Sequence, residues 1–146
     1  MLPVIHMNWL AIAVSVVVSF LVGGLWYGPL FGNAWKKEMG VPPDAKPAPG
    51  EMGRSLALNV FGTFLMAFVL AHAVLGWRPS AWNAGADAAP AVYGCVAGLF
   101  AWIGFVVPVL LNGVSFERKS WKLFGINAAF QLVSLQIIGL ILTFWR

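Results

Sequence analysis

Four apolar stretches, none holding a charged side chain, divide this chain at residues 7–31, 55–76, 91–112 and 123–145. Each is close to the roughly 20 residues that an α-helix needs to cross a hydrocarbon core about 30 Å thick. In such a core every backbone N–H and C=O must be satisfied internally, which selects helices for uninterrupted spans of this length. A soluble domain of this size would instead carry amphipathic stripes with charges on its outer faces. The pattern therefore predicts an all-α, polytopic membrane protein: a four-transmembrane-helix bundle forming one domain over residues 1–146. Its connections fall at 32–54, 77–90 and 113–122.

Composition agrees with that reading. Sixty per cent of residues are hydrophobic and ten per cent charged, against about 25% charged in ordinary globular chains. The net charge of +4 does not point to nucleic acid, because the basic residues sit in short connections rather than on one folded surface. The one cysteine, Cys95, lies inside the third stretch. It forms no metal-ligand spacing and reads as a small packed residue. The first stretch is too long for a signal-peptide core of about 7–15 residues, and no Lys or Arg precedes it, so it reads as a retained helix.

Lys36, Lys37, Lys46 and Arg54 lie between the first and second stretches, and Arg118, Lys119 and Lys122 between the third and fourth. Only Arg78 lies in the middle connection, and only Arg146 after the last stretch. The positive-inside rule places the first and third connections in the cytoplasm and both termini outside; the default location is a bacterial inner membrane. Tryptophan, which prefers the membrane–water interface, gives an independent count. Trp9, Trp77, Trp82 and Trp145 fall at the outer boundary, Trp35 and Trp121 at the inner one.

The connections carry breaker residues. Pro42, Pro43, Pro47 and Pro49 make Gly40–Gly53 a non-helical excursion, with one helical turn expected over Asn33–Met39. Pro90 is placed to open the third helix. Arg54 precedes Asn59 by the same step that separates Lys122 from Asn127, and Trp26-x-Gly28 is echoed by Trp102-x-Gly104. If this is a repeat, the chain is two helical hairpins in parallel orientation. Pro29 and Pro108 each remove a helix hydrogen bond and free the carbonyls of Leu25 and Gly104, through a plain kink or a local opening.

No Asp, Glu, Lys or Arg lies within a span, which argues against an exporter built on a membrane-embedded carboxylate. The polar residues that remain are patterned. Asn127, Gln131 and Ser134 follow i, i+4, i+7 in the fourth helix, and Asn59 and Thr63 share a face of the second. Trp26 and Tyr27 reach the same cytoplasmic half, and Trp102 lies near mid-membrane, where its indole N–H needs an acceptor. Amides in hydrocarbon must find partners, so these groups are expected to point into the bundle. Two roles fit them: a polar pocket facing the cytoplasm that holds a lipid headgroup or small solute, or hydrogen bonds that only join helices.

Rows of small residues mark helix contacts: Ser15, Ser19 and Gly23 in the first helix, Ala67 and Ala71 in the second, Gly94 and Gly98 in the third. They serve packing inside one copy or a seam between copies, and self-association into a homo-oligomer is expected. His6 and His72 both lie near the outer side, too thin a basis for a haem or metal site. No catalytic triad, phosphate loop or metal-ligand spacing is present, so no catalytic residue, metal or cofactor is assigned.

The opening Met7-Asn8-Trp9-Leu10-Ala11, the stretch from Gly24 to Gly32 with its Trp26-Tyr27-Gly28-Pro29 centre, and Trp121–Ala128 followed by Leu132-Val133-Ser134 resemble the domain of unknown function 1761 family, as does the Ala71-His72 pair. These are small, mostly bacterial, four-helix membrane proteins. The resemblance implies the architecture and brings no activity with it. It also implies a start at Met7, with Met1–His6 as an upstream extension. The leading functional expectation is a small-solute or lipid binding or transport-type protein, in contact with membrane lipids. An accessory subunit is the alternative, and a haem- or quinone-linked redox protein a distant third.

Overall fold

The computed structural model describes residues 2, 3 and 5–145; Met1, Val4 and Arg146 lie outside the described residues. The described residues form helices and connections, with no strand among them. Four helical stretches are long and apolar enough to cross a membrane: Trp9–Leu30, Glu51–Gly76, Pro90–Ser115 and Trp121–Phe144. The chain has the architecture of a polytopic α-helical membrane protein.

Helix α1 (Trp9–Leu25) starts at Asn8, whose side chain accepts a hydrogen bond from Ala11 N at 3.0 Å. The same carboxamide donates to Trp145 O at 3.3 Å, so the beginning of α1 and the end of the last helix lie together. Near its other end the first span does not simply kink. Pro29 has no N–H to offer Leu25 O, and residues Trp26–Leu30 relax into one π-helical turn. Phe31 N then bonds Trp26 O, five residues back, at 2.8 Å. The third span behaves alike. Helix α4 (Pro90–Ala101) passes through a π turn at Trp102–Val106 into α5 (Val107–Ser115), with Val107 N bonded to Trp102 O and Pro108 just beyond. The two Trp-x-Gly motifs thus mark the same backbone device.

Beyond the first π turn the chain forms α2 (Gly32–Met39), two turns rather than the one expected. It ends at Gly40, in the left-handed conformation with φ +68°. Val41 N bonds Lys36 O at 2.9 Å and Gly40 N bonds Lys37 O at 3.2 Å, the double closure that this backbone shape permits. The proline-rich segment follows, and α3 (Glu51–Gly76) begins four residues before the charge-free stretch does. Its first residue explains the early start: Glu51 accepts from Ala48 N at 2.8 Å, and its carboxylate sits favourably at a helix N-terminus.

Helix α6 (Trp121–Phe144) is the centre of the bundle. It packs against α1, α3, α4 and α5 and also meets α2. Its buried residues, among them Leu123, Ile126, Ala128, Leu135, Gly139 and Thr143, fall around most of its circumference. The main core lies in the half of the bundle that carries the chain ends: Ala11, Ile12 and Val16 of α1, Ala67, Leu70, Ala71 and Val74 of α3, Ala97 of α4, and Leu135, Ile138 and Leu142 of α6.

The closest approach is between α4 and α6. A Cβ on Gly94 would lie 2.5 Å from Gly139 O, and one on Gly139 would strike Gly94 O in return. One turn away, a Cβ on Gly98 would lie 3.0 Å from Leu135 O, while Gln136 Nε2 donates to Cys95 O at 3.2 Å. Glycine is required where two helix backbones touch. The other small-residue rows also turn inward. Ser15, Ser19, Ala67 and Ala71 are buried, and a Cβ on Gly23 would meet the Phe130 ring at 3.3 Å.

Candidate functional site

Three consecutive residues of α6 gather polar donors from two other spans. Trp26 Nε1 donates to Ile126 O at 3.1 Å, Tyr27 Oη donates to Asn127 Oδ1 at 2.8 Å, and Trp102 Nε1 donates to Ala128 O at 2.7 Å. The π turns supply the positions of both indoles. Each widened turn displaces the register of its span, and each has its tryptophan at the first residue. A helical carbonyl keeps a second lone pair after its own i+4 bond, so an indole can dock on it without breaking α6. Ile126 and Ala128 lie about 200° apart around a helix, so the two tryptophans grip α6 from roughly opposite sides.

Phe130 fills the space beneath the first of these contacts. Its ring lies 5.1 Å from that of Tyr27, edge-on, and 6.1 Å from that of Trp26, and Trp35 meets Tyr27 edge-on at 6.0 Å. Tyr27 is thereby held by aromatic neighbours on two sides while its hydroxyl reaches Asn127.

Asn127 also lines a cavity of about 190 Å³ between α5 and α6, with Val109, Gly113, Glu117, Lys119 and Phe124. Lys119 and Glu117 form an ion pair at 2.5 Å, both partly exposed. The carboxamide oxygen of Asn127 is engaged by Tyr27. Its NH₂ group has no hydrogen-bond partner among the described residues.

The remaining polar residues are distributed differently. Ser134 is buried on α6, and Gln131 is half-buried one turn beyond Asn127. Asn59 is exposed on α3, and Thr63 Oγ1 donates back to Asn59 O at 2.9 Å within the same helix. The structure thus brings Trp26, Tyr27, Trp102 and Asn127 to one turn of α6 and leaves Asn59 and Thr63 outside that cluster. His72 is exposed with Nδ1 2.9 Å from Phe68 O, whereas His6 lines a separate cavity whose lining does not include His72.

Two features escape a reading of the sequence. Ser120 caps α6 by accepting from Leu123 N at 3.1 Å, and its hydroxyl donates to Glu38 Oε2 of α2 at 2.5 Å. Lys122 Nζ lies 4.0 Å from the other oxygen of Glu38. Ser before Trp121 signals a cap; nothing local signals a partner 82 positions away. The second is Arg78. It reads as a lone loop charge but is only 5% exposed, with its guanidinium 5.8 Å from the Tyr93 ring centroid. It lines a cavity of about 390 Å³ at the end of the bundle that carries the chain ends, together with His6, Asn8, Ser80, Asn83 and Trp145.

Residues 10–143 match the family model described as protein of unknown function (DUF1761). The chain belongs to this family. The match covers nearly the whole chain, including both π turns and all of the α6 contacts described above. No curated protein and no solved structure matches the chain. Family membership therefore brings no reaction, and the chemistry has to be read from the residues.

Proposed function

We propose that this chain is a small binding or transport-type membrane protein whose site is the Asn127 cavity, open at the cytoplasmic ends of α5 and α6. The orientation rests on seven basic residues in the connections at that end, against Arg78 and Arg146 at the other. One observation carries the site: Tyr27 occupies the Asn127 oxygen, which orients the amide nitrogen as a donor beside a cavity with Lys119 at its mouth. A fixed amide donor and an ammonium already paired with Glu117 suit a small anionic oxygen that shares Lys119 with that carboxylate. The volume of about 190 Å³ fits a headgroup phosphate or a small free anion and nothing much larger.

Native mass spectrometry from mild detergent tests this. The wild-type protein should retain a phosphate-bearing species, which a Tyr27→Phe/Asn127→Leu protein should lose. A retained mass matching a phospholipid identifies a headgroup; capture of added inorganic phosphate alone identifies a free anion. Retention by neither protein, or equally by both, overturns the proposal. Changing both residues matters, because Asn127→Leu alone would orphan the Tyr27 hydroxyl at a cost of about 1–3 kcal/mol.

A second reading is favoured by the satisfied donors themselves. Trp26, Tyr27 and Trp102 are all engaged by α6, as in an accessory subunit whose polar groups only join helices. On that reading the double variant melts well below wild type. On the binding reading it melts near or above wild type, since binding sites commonly sacrifice stability.

A further inference from the structure

The first three turns of α3, Glu51–Phe61, are exposed at every residue. A helix that faces lipid on one side and its own bundle on the other alternates between exposed and buried positions, as α3 itself does from Ala67 to Val74. Exposure all round means that this part of α3 stands away from α1 and α6. It is not purely apolar. Asn59 lies eight residues in, about 12 Å along the axis. The helix is 26 residues long, about 39 Å, and a hydrocarbon core is about 30 Å. A centred span therefore puts Asn59 inside the hydrocarbon. Among the described residues its carboxamide has no hydrogen-bond partner; the Thr63 hydroxyl donates to its backbone oxygen instead.

Acyl chains can cover Leu56, Leu58 and Phe61, but they offer no donor or acceptor to an amide. We infer that a second copy of this chain covers this half of α3, with Asn59 pairing to Asn59 across a two-fold axis along the membrane normal. Every copy inserts in the same orientation, so each residue meets its own counterpart at its own depth. A carboxamide is both donor and acceptor and can form a reciprocal pair. Met52, Leu56, Asn59 and Thr63 recur at 4-3-4 spacing and form one continuous seam flanking that pair. The small-residue rows, by contrast, are spent inside one copy, around Gly94, Gly98, Ala67 and Ala71. This inference is independent of the Asn127 cavity.

The test is oxidative cross-linking in native membranes. Cys95→Ala removes the native thiol, and a single cysteine is then placed by Leu56→Cys, on the seam, or by Leu58→Cys, about 200° away on the helix. Leu56→Cys should yield the dimer and Leu58→Cys should not. Adding Asn59→Leu should weaken association about 3- to 30-fold, the range for an interhelical hydrogen bond in lipid, whereas Asn59→Gln, which keeps the amide, should retain most of it. Native mass spectrometry of the wild-type protein should show two copies. A monomer covered by lipid, a complex with a different protein, or equal cross-linking from both positions overturns the inference.

Discussion

Replacing Gly94 by alanine adds a single methyl group, and the fold dictates where it goes. The new Cβ would sit 2.5 Å from Gly139 O. Both atoms belong to, or are rigidly attached to, helix backbones, so no side chain can rotate away and α4 must separate from α6. Overpacking of this kind costs about 1–3 kcal/mol, with a backbone obstacle at the upper end. Against it stands a gain of about 1 kcal/mol from the higher helix propensity of alanine. The net expectation is a loss of about 1–2 kcal/mol. At roughly 2–4 °C per kcal/mol for a chain of this size, Gly94→Ala should melt about 2–8 °C early. Gly139→Ala should do the same, because its Cβ points at Gly94 O. The double variant should cost less than the sum, since both changes relieve one shared approach. Gly125 is the control: it lies on the same α6, and a Cβ there meets nothing within 4 Å. Gly125→Ala should leave the melt unchanged or raise it by a few degrees on the propensity gain. The assay is thermal unfolding in one detergent, followed by tryptophan fluorescence. If Gly94→Ala melts at or above wild type, or Gly125→Ala falls as far as Gly94→Ala, backbone contact is not what joins α4 to α6.

Trp102→Phe keeps a ring but deletes the donor to Ala128 O; we expect a loss of about 1 kcal/mol, with Trp26→Phe similar, read from the same melts. Ser120→Ala removes the α6 cap and the hydrogen bond to Glu38 together, at about 1–2 kcal/mol. Glu38→Gln, which keeps an acceptor for the serine hydroxyl, should cost clearly less than Ser120→Ala. An equal loss from both would show that the cap contributes nothing of its own.

What the sequence alone discloses follows from the strength of each signal. The four spans announce themselves because a charge in hydrocarbon is so costly that its absence over twenty residues has few other meanings. The π turns were half legible: Pro29 and Pro108 show that a bond is missing, but a kink and a widened turn account equally well for a missing bond. Depth was also legible by residue count, and a hydrogen bond joins Tyr27 to Asn127. Lateral position was not. Asn59 shares that level by residue count, yet α3 diverges there and leaves it outside the cluster. Partner choice was the least legible. The Gly94–Gly98 row has the familiar spacing, but its counterpart is Gly139 with Leu135 and Gln136, a surface without any such motif. Helix faces follow from periodicity; which faces meet follows from the connections and the whole bundle.

The place of α6 in chain order has a consequence for biogenesis. The helix that every other α-helix leans on is the last of the four spans to leave the ribosome. Until it arrives, the indoles of Trp26 and Trp102 and the phenol of Tyr27 lie in the bilayer without their acceptors, and the glycine groove on α4 stands open. Three inserted spans are therefore a waiting intermediate rather than a partial fold, and ribosomes that stall before Trp121 should leave a product for membrane proteases to clear.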